Sequence, residues 1–475
     1  MTEVLSNDEN SSSDTTAAVR GVVNKIGGSL TLRVAYVAGL ALAMLVPVLF
    51  LTVTVSERGG RYQQVLYDIA SSWGHEQMIQ GPVIEVPYTR IHRYQETITM
   101  ANGQDREIEK SKTLNLSLYI LPTTLALDIN LDTESRHRGI YHSLVYRADV
   151  LMDAQFSALK TEDLPPEIET IHWDRATVAF GLSDSRAVEE VKSVLWNNKP
   201  NRLKPGHTVD PLNSGFHLRL TDFDPFREHS LKLDVSVRGS GSLMFTPFGE
   251  MTEVSLTSSW PHPSFIGRVL PVTREITESG FSASYAIPHL ARTYPQVWSS
   301  DMQQVNLTEL TAGVRIFEPV SLYVKIQRSV KYAVLFIGLT FLLMLVFEQA
   351  VATRMHAVQY ILVGCALALF YLVLLSLSEH IAFILAYLLS AIAIVLIISV
   401  YVGVVLRSKW RGFQMLSMMS LLYGVLYSLL QLEDYALLLG TSLLFAVLVS
   451  LMLVTKNLAK RTISESAQVS DVSAT

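Results

Sequence analysis

Residues 58–88 read RGGRYQQVLYDIASSWGHEQMIQGPVIEVPY, and they begin three residues after a run of 22 uncharged residues at 34–55. Val65, Leu66, Ile69 and Trp73 fall on one helical stripe, and Gly74 follows as a stop. Gly81-Pro82 reads as a turn, and VIEVPY at 83–88 alternates like a strand. The stretch is therefore a junction: a long apolar run gives way to a short helix, a turn and a first strand. What the junction joins depends on the other apolar runs.

A helix needs about 20 apolar residues to cross about 30 Å of hydrocarbon. Besides 34–55, runs of this kind lie at 357–378, 381–406, 413–432 and 435–455. A shorter run at 332–347 reaches back to 329 if Arg328 and Lys331 snorkel. The expectation is six transmembrane α-helices, one N-terminal and five C-terminal, the latter at about 329–347, 357–378, 381–406, 413–432 and 435–455. Pro47 inside the first run is expected to kink it. That run is long for a signal peptide, and no A-x-A site follows it, so it reads as an uncleaved anchor.

Charge sets the orientation. Arg20, Lys25 and Arg33 precede the first run; Arg354 lies between the second and third; Arg407, Lys409 and Arg411 lie between the fourth and fifth; Lys456, Lys460 and Arg461 follow the last. With six spans all of these fall on one side, so both termini are expected in the cytoplasm. Lys325, Arg328 and Lys331 stand against this, but they end a long translocated segment, where the charge rule is weak. The tails 1–33 and 456–475 are polar and read as disordered for the most part.

Residues 56–328 are left outside. They carry 27 Lys+Arg against 33 Asp+Glu, which is no footprint for nucleic acid. The chain has one cysteine, Cys365, so no internal disulfide can support this domain. Alternating segments at 114–121, 125–132 and 231–238, with further candidates at 140–152, 176–182, 241–247, 253–260, 280–287 and 313–319, predict a β-rich, sandwich-like fold. One stretch, 183–195, reads as helical, with polar caps before AVEEVKSVL.

These pieces resemble the CreD-type cell-envelope inner-membrane proteins of bacteria over about residues 30–460. The strings that carry the likeness include the opening stretch, RGIYHSLVYRADV (138–150), GFSASYAIPHLARTYPQVW (280–298) and VQYILVGCALALFYLVLLSLSEHIAFILAY (358–387). The resemblance implies an inner-membrane protein tied to envelope integrity and to responses to cell-wall-acting stress such as β-lactams. It implies no catalytic residue.

The residues give no assembled chemistry. Ser157 and Lys160 spell S-x-x-K, but the partner motifs of β-lactamases are absent. His137 and His142, five apart on a strand-like run, are expected on opposite faces. No metal, cofactor or catalytic set is expected. The Pro-framed loop 288–298 offers Arg292, Tyr294 and Trp298 as a candidate partner-binding surface; equally, Trp298 could plug the core. Glu379 and His380 form a candidate interfacial pair in a tight hairpin between two spans, and Glu348 reads as interfacial at the far end of the preceding span. At mid-depth only Thr340, Tyr423 and Tyr427 are polar. The reading is thus a non-enzymatic envelope protein that binds or senses a periplasmic or inner-membrane partner from the lipid bilayer; the alternative is a transporter or flippase-like protein with a periplasmic cap.

Overall fold

Pro47 has no N–H to offer the carbonyl of Ala43, and the first helical segment breaks there. Helix α1 (Leu30–Ala43) ends, Met44 turns, and α2 (Leu45–Trp73) follows. The kink expected from the sequence is present. The separate short helix after the span is not: α2 runs without interruption through Gly59-Gly60 to Trp73. Gly74 then ends it at φ +151°, where an added Cβ would meet the Arg238 carbonyl at 2.7 Å. The computed structural model describes residues 30–99, 105–207, 209, 212, 214–301, 306–316, 322–351, 355–431 and 436–455. The expected tails lie outside these residues except for 30–33, which are helical rather than tail.

The chain divides into two units, Met1–Arg61 with Val320–Thr475, and Tyr62–Pro319. The first is helical: α3 (Leu322–Val351), α4 (Ala357–Ser378), α5 (Phe383–Val405), α6 (Lys409–Gln431) and α7 (Ala436–Thr455) join α1 and most of α2. Among the described residues five helical stretches are long and apolar enough to span a membrane: Arg33–Trp73, Leu322–Glu348, Ala357–Ser378, Phe383–Val405 and Lys409–Gln431. The sixth expected run forms α7, 20 residues long. Gly403 and Gly412 let α5 and α6 approach closely, since a Cβ on either would lie 3.2 Å from the other's Cα.

The second unit holds two sheets around one core. The ten-stranded sheet runs, in hydrogen-bonded order, Pro263–Gly267, Ala312–Ile316, Ser242–Phe245, Gln77–Thr99, Thr177–Leu182, Gly215–Arg219 and Lys204–Pro205. Asp105–Ile120 and Ile168–Ile171 also pair with Gln77–Thr99, and Val297–Ser299 pairs with Asp105–Ile120. The eight-stranded sheet runs Thr273–Thr277, Gly280–Pro288, Met251–Ser258, Thr124–Arg138, Tyr141–Phe156, His229–Ser240, Val188–Trp196 and Lys199–Pro200. Thr124–Arg138, Met251–Ser258 and Gly280–Pro288 alternate between buried and exposed as their sequences predict. Leu125, Leu127, Ile129 and Leu131 are all buried, and so are Val254, Leu256, Ala283 and Tyr285 facing the same core. Each such aliphatic side chain is worth about 1.5–3 kcal/mol of burial.

Three local expectations are corrected. The stretch 183–195 is not a helix: after one 3-10 turn at Ser185–Ala187, capped by Asp184 accepting from Arg186 N–H, it becomes the strand Val188–Trp196. Its charges, which look like a helix surface in sequence, pair across the sheet. Arg147 meets Glu189 at 2.6 Å and Lys192 meets Asp149 at 2.9 Å, in each case over the intervening strand His229–Ser240. Gly81-Pro82 is not a turn but a bulge within one 23-residue strand, where the register to Thr177–Leu182 shifts. His137 and His142 face the same side. Gly139 and Ile140 form a tight turn, with Gly139 at φ +65°, so the two histidines are direct cross-strand partners with rings 6.0 Å apart.

Candidate functional site

Two of the carboxylates in the helical unit lie at opposite ends of the same helices. Glu379 caps the C-terminus of α4. Its side chain is only 7 % exposed; Oε1 accepts from the Tyr323 hydroxyl at 3.1 Å, and Oε2 lies 3.6 Å from Arg58 Nη1. His380 does not join it: the ring is exposed and Nδ1 sits 3.0 Å from the Ser376 carbonyl. The expected Glu379–His380 pair is therefore two separate groups. One holds helices together, and the other faces outward.

Glu348 is the counterpart. It is 3 % exposed, meets Arg33 Nη2 at 2.5 Å, and accepts from the Tyr360 hydroxyl at 2.9 Å and from the Met355 amide at 3.3 Å. The two clusters share a plan. Each takes an arginine from the first helical segment, a tyrosine from one of α3 and α4, and a glutamate from the end of the other. Tyr360 and Glu379, at the two ends of α4, are 19 residues apart, or about 28 Å at 1.5 Å per residue. That is close to the hydrocarbon thickness of about 30 Å. Glu348 and Glu379 stand out in the sequence but their partners do not, because nothing in local spacing links Arg33 to Glu348.

The loop of Arg292, Tyr294 and Trp298 is built differently from a contact surface. After a single 3-10 turn, His289–Ala291, Arg292 Nη1 donates to the Phe248 carbonyl at 2.9 Å and Nη2 to Gln296 Oε1. The guanidinium lies 5.0 Å from the Tyr294 ring centre. Tyr294 and Trp298 are 6 % and 4 % exposed and belong to the core, with Trp298 5.3 Å from Tyr119. Burial pushes the Tyr294 hydroxyl up to about 12 and pulls Arg292 below its ordinary value. The structure brings the three residues together, but inward, as the core-plug alternative has it. Among the loop's exposed residues is Leu290, 83 % exposed.

Ser157 and Lys160 lie in an exposed loop, where Ser157 Oγ accepts from Thr123 at 2.8 Å. Among the described residues no three His, Cys, Asp or Glu side chains converge as metal ligands. The site-like features are thus two membrane-end ion clusters and one inward-packed loop. They fit a class of protein in which a helical membrane part carries a large sheet-rich unit.

The chain belongs to the CreD family. The family profile described as "Inner membrane protein CreD" matches residues 29–460. Inner membrane protein CreD of Escherichia coli (strain K12) is 32 % identical over 422 residues, covering 88 % of this chain and 91 % of that protein. Among solved structures, similarity is partial: an M1 zinc metallopeptidase from Deinococcus radiodurans gives a TM-score of 0.19 at 10 % identity over 35 % of this chain and 38 % of that one. Leukotriene A4 hydrolase from Saccharomyces cerevisiae gives 0.21 at 9 % identity over 47 % and 35 %. Superpositions this poor carry no argument about activity.

Proposed function

We propose that this protein is a six-span inner-membrane protein with both termini in the cytoplasm, and that its β unit lies in the periplasm and serves envelope integrity under cell-wall stress. It acts by binding or sensing through that unit, without catalysis. The observation that carries this reading is the pair of Arg–Tyr–Glu clusters. Each buried carboxylate is met by an arginine, so the helices read as a fixed anchor rather than a proton or solute path. Recognition then falls to the sheet unit, the part of the chain with a large polar surface.

Two measurements test this. Reporter fusions after Asp222 and Ser408 should read as exported and cytosolic respectively. Cells lacking the protein should regain β-lactam tolerance with the full chain but not with a chain in which residues 62–319 are replaced by a short linker. Equal rescue by both chains would remove the β unit from the function.

A further inference from the structure

We propose that the α5–α6 turn is a binding site for the headgroups of anionic phospholipids. The turn is short and tightly bonded. Arg407 adopts φ +49°, its amide donates to the Val404 carbonyl at 3.1 Å, Ser408 N–H donates to Gly403 at 3.0 Å, and Gly412 N–H donates to Ser408 at 3.2 Å. The Gly403–Gly412 approach fixes the two helices just behind it. A rigid platform therefore holds the side chains that follow.

Those side chains are unusual for a surface. Trp410 is 65 % exposed and Phe413 58 % exposed, and their rings stack at 5.9 Å with 26° between planes. Arg407 and Lys409 are exposed on either side, and the described residues give neither an acidic partner. Arg411 turns back to Gln414 Oε1 at 2.9 Å and lies 5.5 Å from the Phe347 ring, tying the turn to α3. The whole cluster sits at the ends of two 23-residue apolar helices.

Each component selects a partner. A bare Trp–Phe stack at the end of a span is suited to the headgroup region, where aromatic rings place an apolar body in the acyl boundary. Two cations beside it, without an acidic partner among the described residues, favour a leaflet that carries net negative charge. A zwitterionic surface would satisfy the rings but not the cations. A soluble anion would satisfy the cations but not the rings. An anionic lipid satisfies both.

The test uses the purified full chain and native mass spectrometry, with phosphatidylglycerol and phosphatidylcholine as probes. The wild type should retain phosphatidylglycerol over phosphatidylcholine. Arg407→Gln with Lys409→Gln should lower that preference about thirtyfold, from about a fivefold contribution per cation near an anionic surface. Trp410→Ala with Phe413→Ala should weaken retention of both lipids. Lys325→Gln with Lys331→Gln removes the same charge at the other end of the helices and should leave the preference intact. Unchanged preference in the first variant, or an equal loss in the control, overturns the proposal. Displacement of the lipid by millimolar inorganic phosphate also overturns it, because the site would then read phosphate alone.

Discussion

Arg33 and Glu348 stand 315 residues apart in the chain and 2.5 Å apart in the fold. Their contact joins α1 to the C-terminal end of α3, at a carboxylate that is 3 % exposed. A buried ion pair contributes little against an apolar replacement, but breaking one is costly.

Arg33→Ala should therefore destabilise the helical unit by about 3–5 kcal/mol, since Glu348 keeps its charge without its counter-ion. Arg33→Met with Glu348→Leu should recover most of this. Thermal unfolding in detergent, followed by helical circular dichroism, reads both. A double variant no more stable than Arg33→Ala would show that the pair is not an isolated charge balance.

Gly364 on α4 forms a notch for Met44, the residue at the break between α1 and α2. A Cβ there would fall 2.5 Å from Met44 Sδ and 3.0 Å from Phe341 Cζ. Gly364→Val should cost about 1–3 kcal/mol by overpacking. Met44→Ala should relieve part of that cost when combined with it. A double-mutant cycle on the same unfolding signal measures the coupling, and additive losses would mean that the notch and Met44 are independent.

Asp149 on the outer face of the eight-stranded sheet has its pKa lowered by the hydrogen bond from Ser236 and by Lys192. A depressed carboxylate contributes stability that is present above its unfolded value, about pH 3.9, and is lost as pH falls through the folded value. Ser236→Ala should leave stability near neutrality reduced by a constant amount. It should also flatten the loss of stability below about pH 4, because folded and unfolded values then lie closer together. A urea-midpoint series from pH 7 to pH 2, read by tryptophan fluorescence, checks the slope; an unchanged acid limb would count against the Asp149–Ser236 contact.

Trp298 and Leu290 separate the two roles of the 288–298 loop. Trp298→Ala should destabilise the β unit by about 3–5 kcal/mol, as for a core aromatic. Leu290→Ala should change stability by no more than about 0.5 kcal/mol. If the loop does meet a partner, a photocrosslinker at Leu290 should capture it in cells, whereas one at Trp298 should not. Capture from Trp298 alone would require the loop to open.

The sequence made the spans and most strands legible for one reason: their burial is one-sided or complete, and both leave a period in the chain. Leu125 to Leu131 announces a half-buried strand without help from any neighbour. The strand Val188–Trp196 could not be read so simply. Its outward charges answer to Arg147 and Asp149, two strands away, and a local window sees only helix-like spacing. His137 and His142 failed for a similar reason, because the face of a residue after a tight turn depends on the turn. The Glu348 and Glu379 clusters were half visible. The acids stand out against apolar flanks, while the arginines and tyrosines that hold them are indistinguishable from ordinary span-end residues until the helices pack.

The ten-stranded sheet also imposes a timetable. Ala312–Ile316 lies between Ser242–Phe245 and Pro263–Gly267, so the last strand to be made fills a gap between two made earlier. At about 5–20 residues per second, that gap stays open for several seconds of synthesis. It closes only once Ala312–Ile316, the strand just ahead of α3, has been delivered. Until then two strand edges are bare, and the nascent chain must be shielded from pairing with a stranger. Any mutation that slows delivery of Ala312–Ile316 should raise demand for holding chaperones before it alters the finished protein.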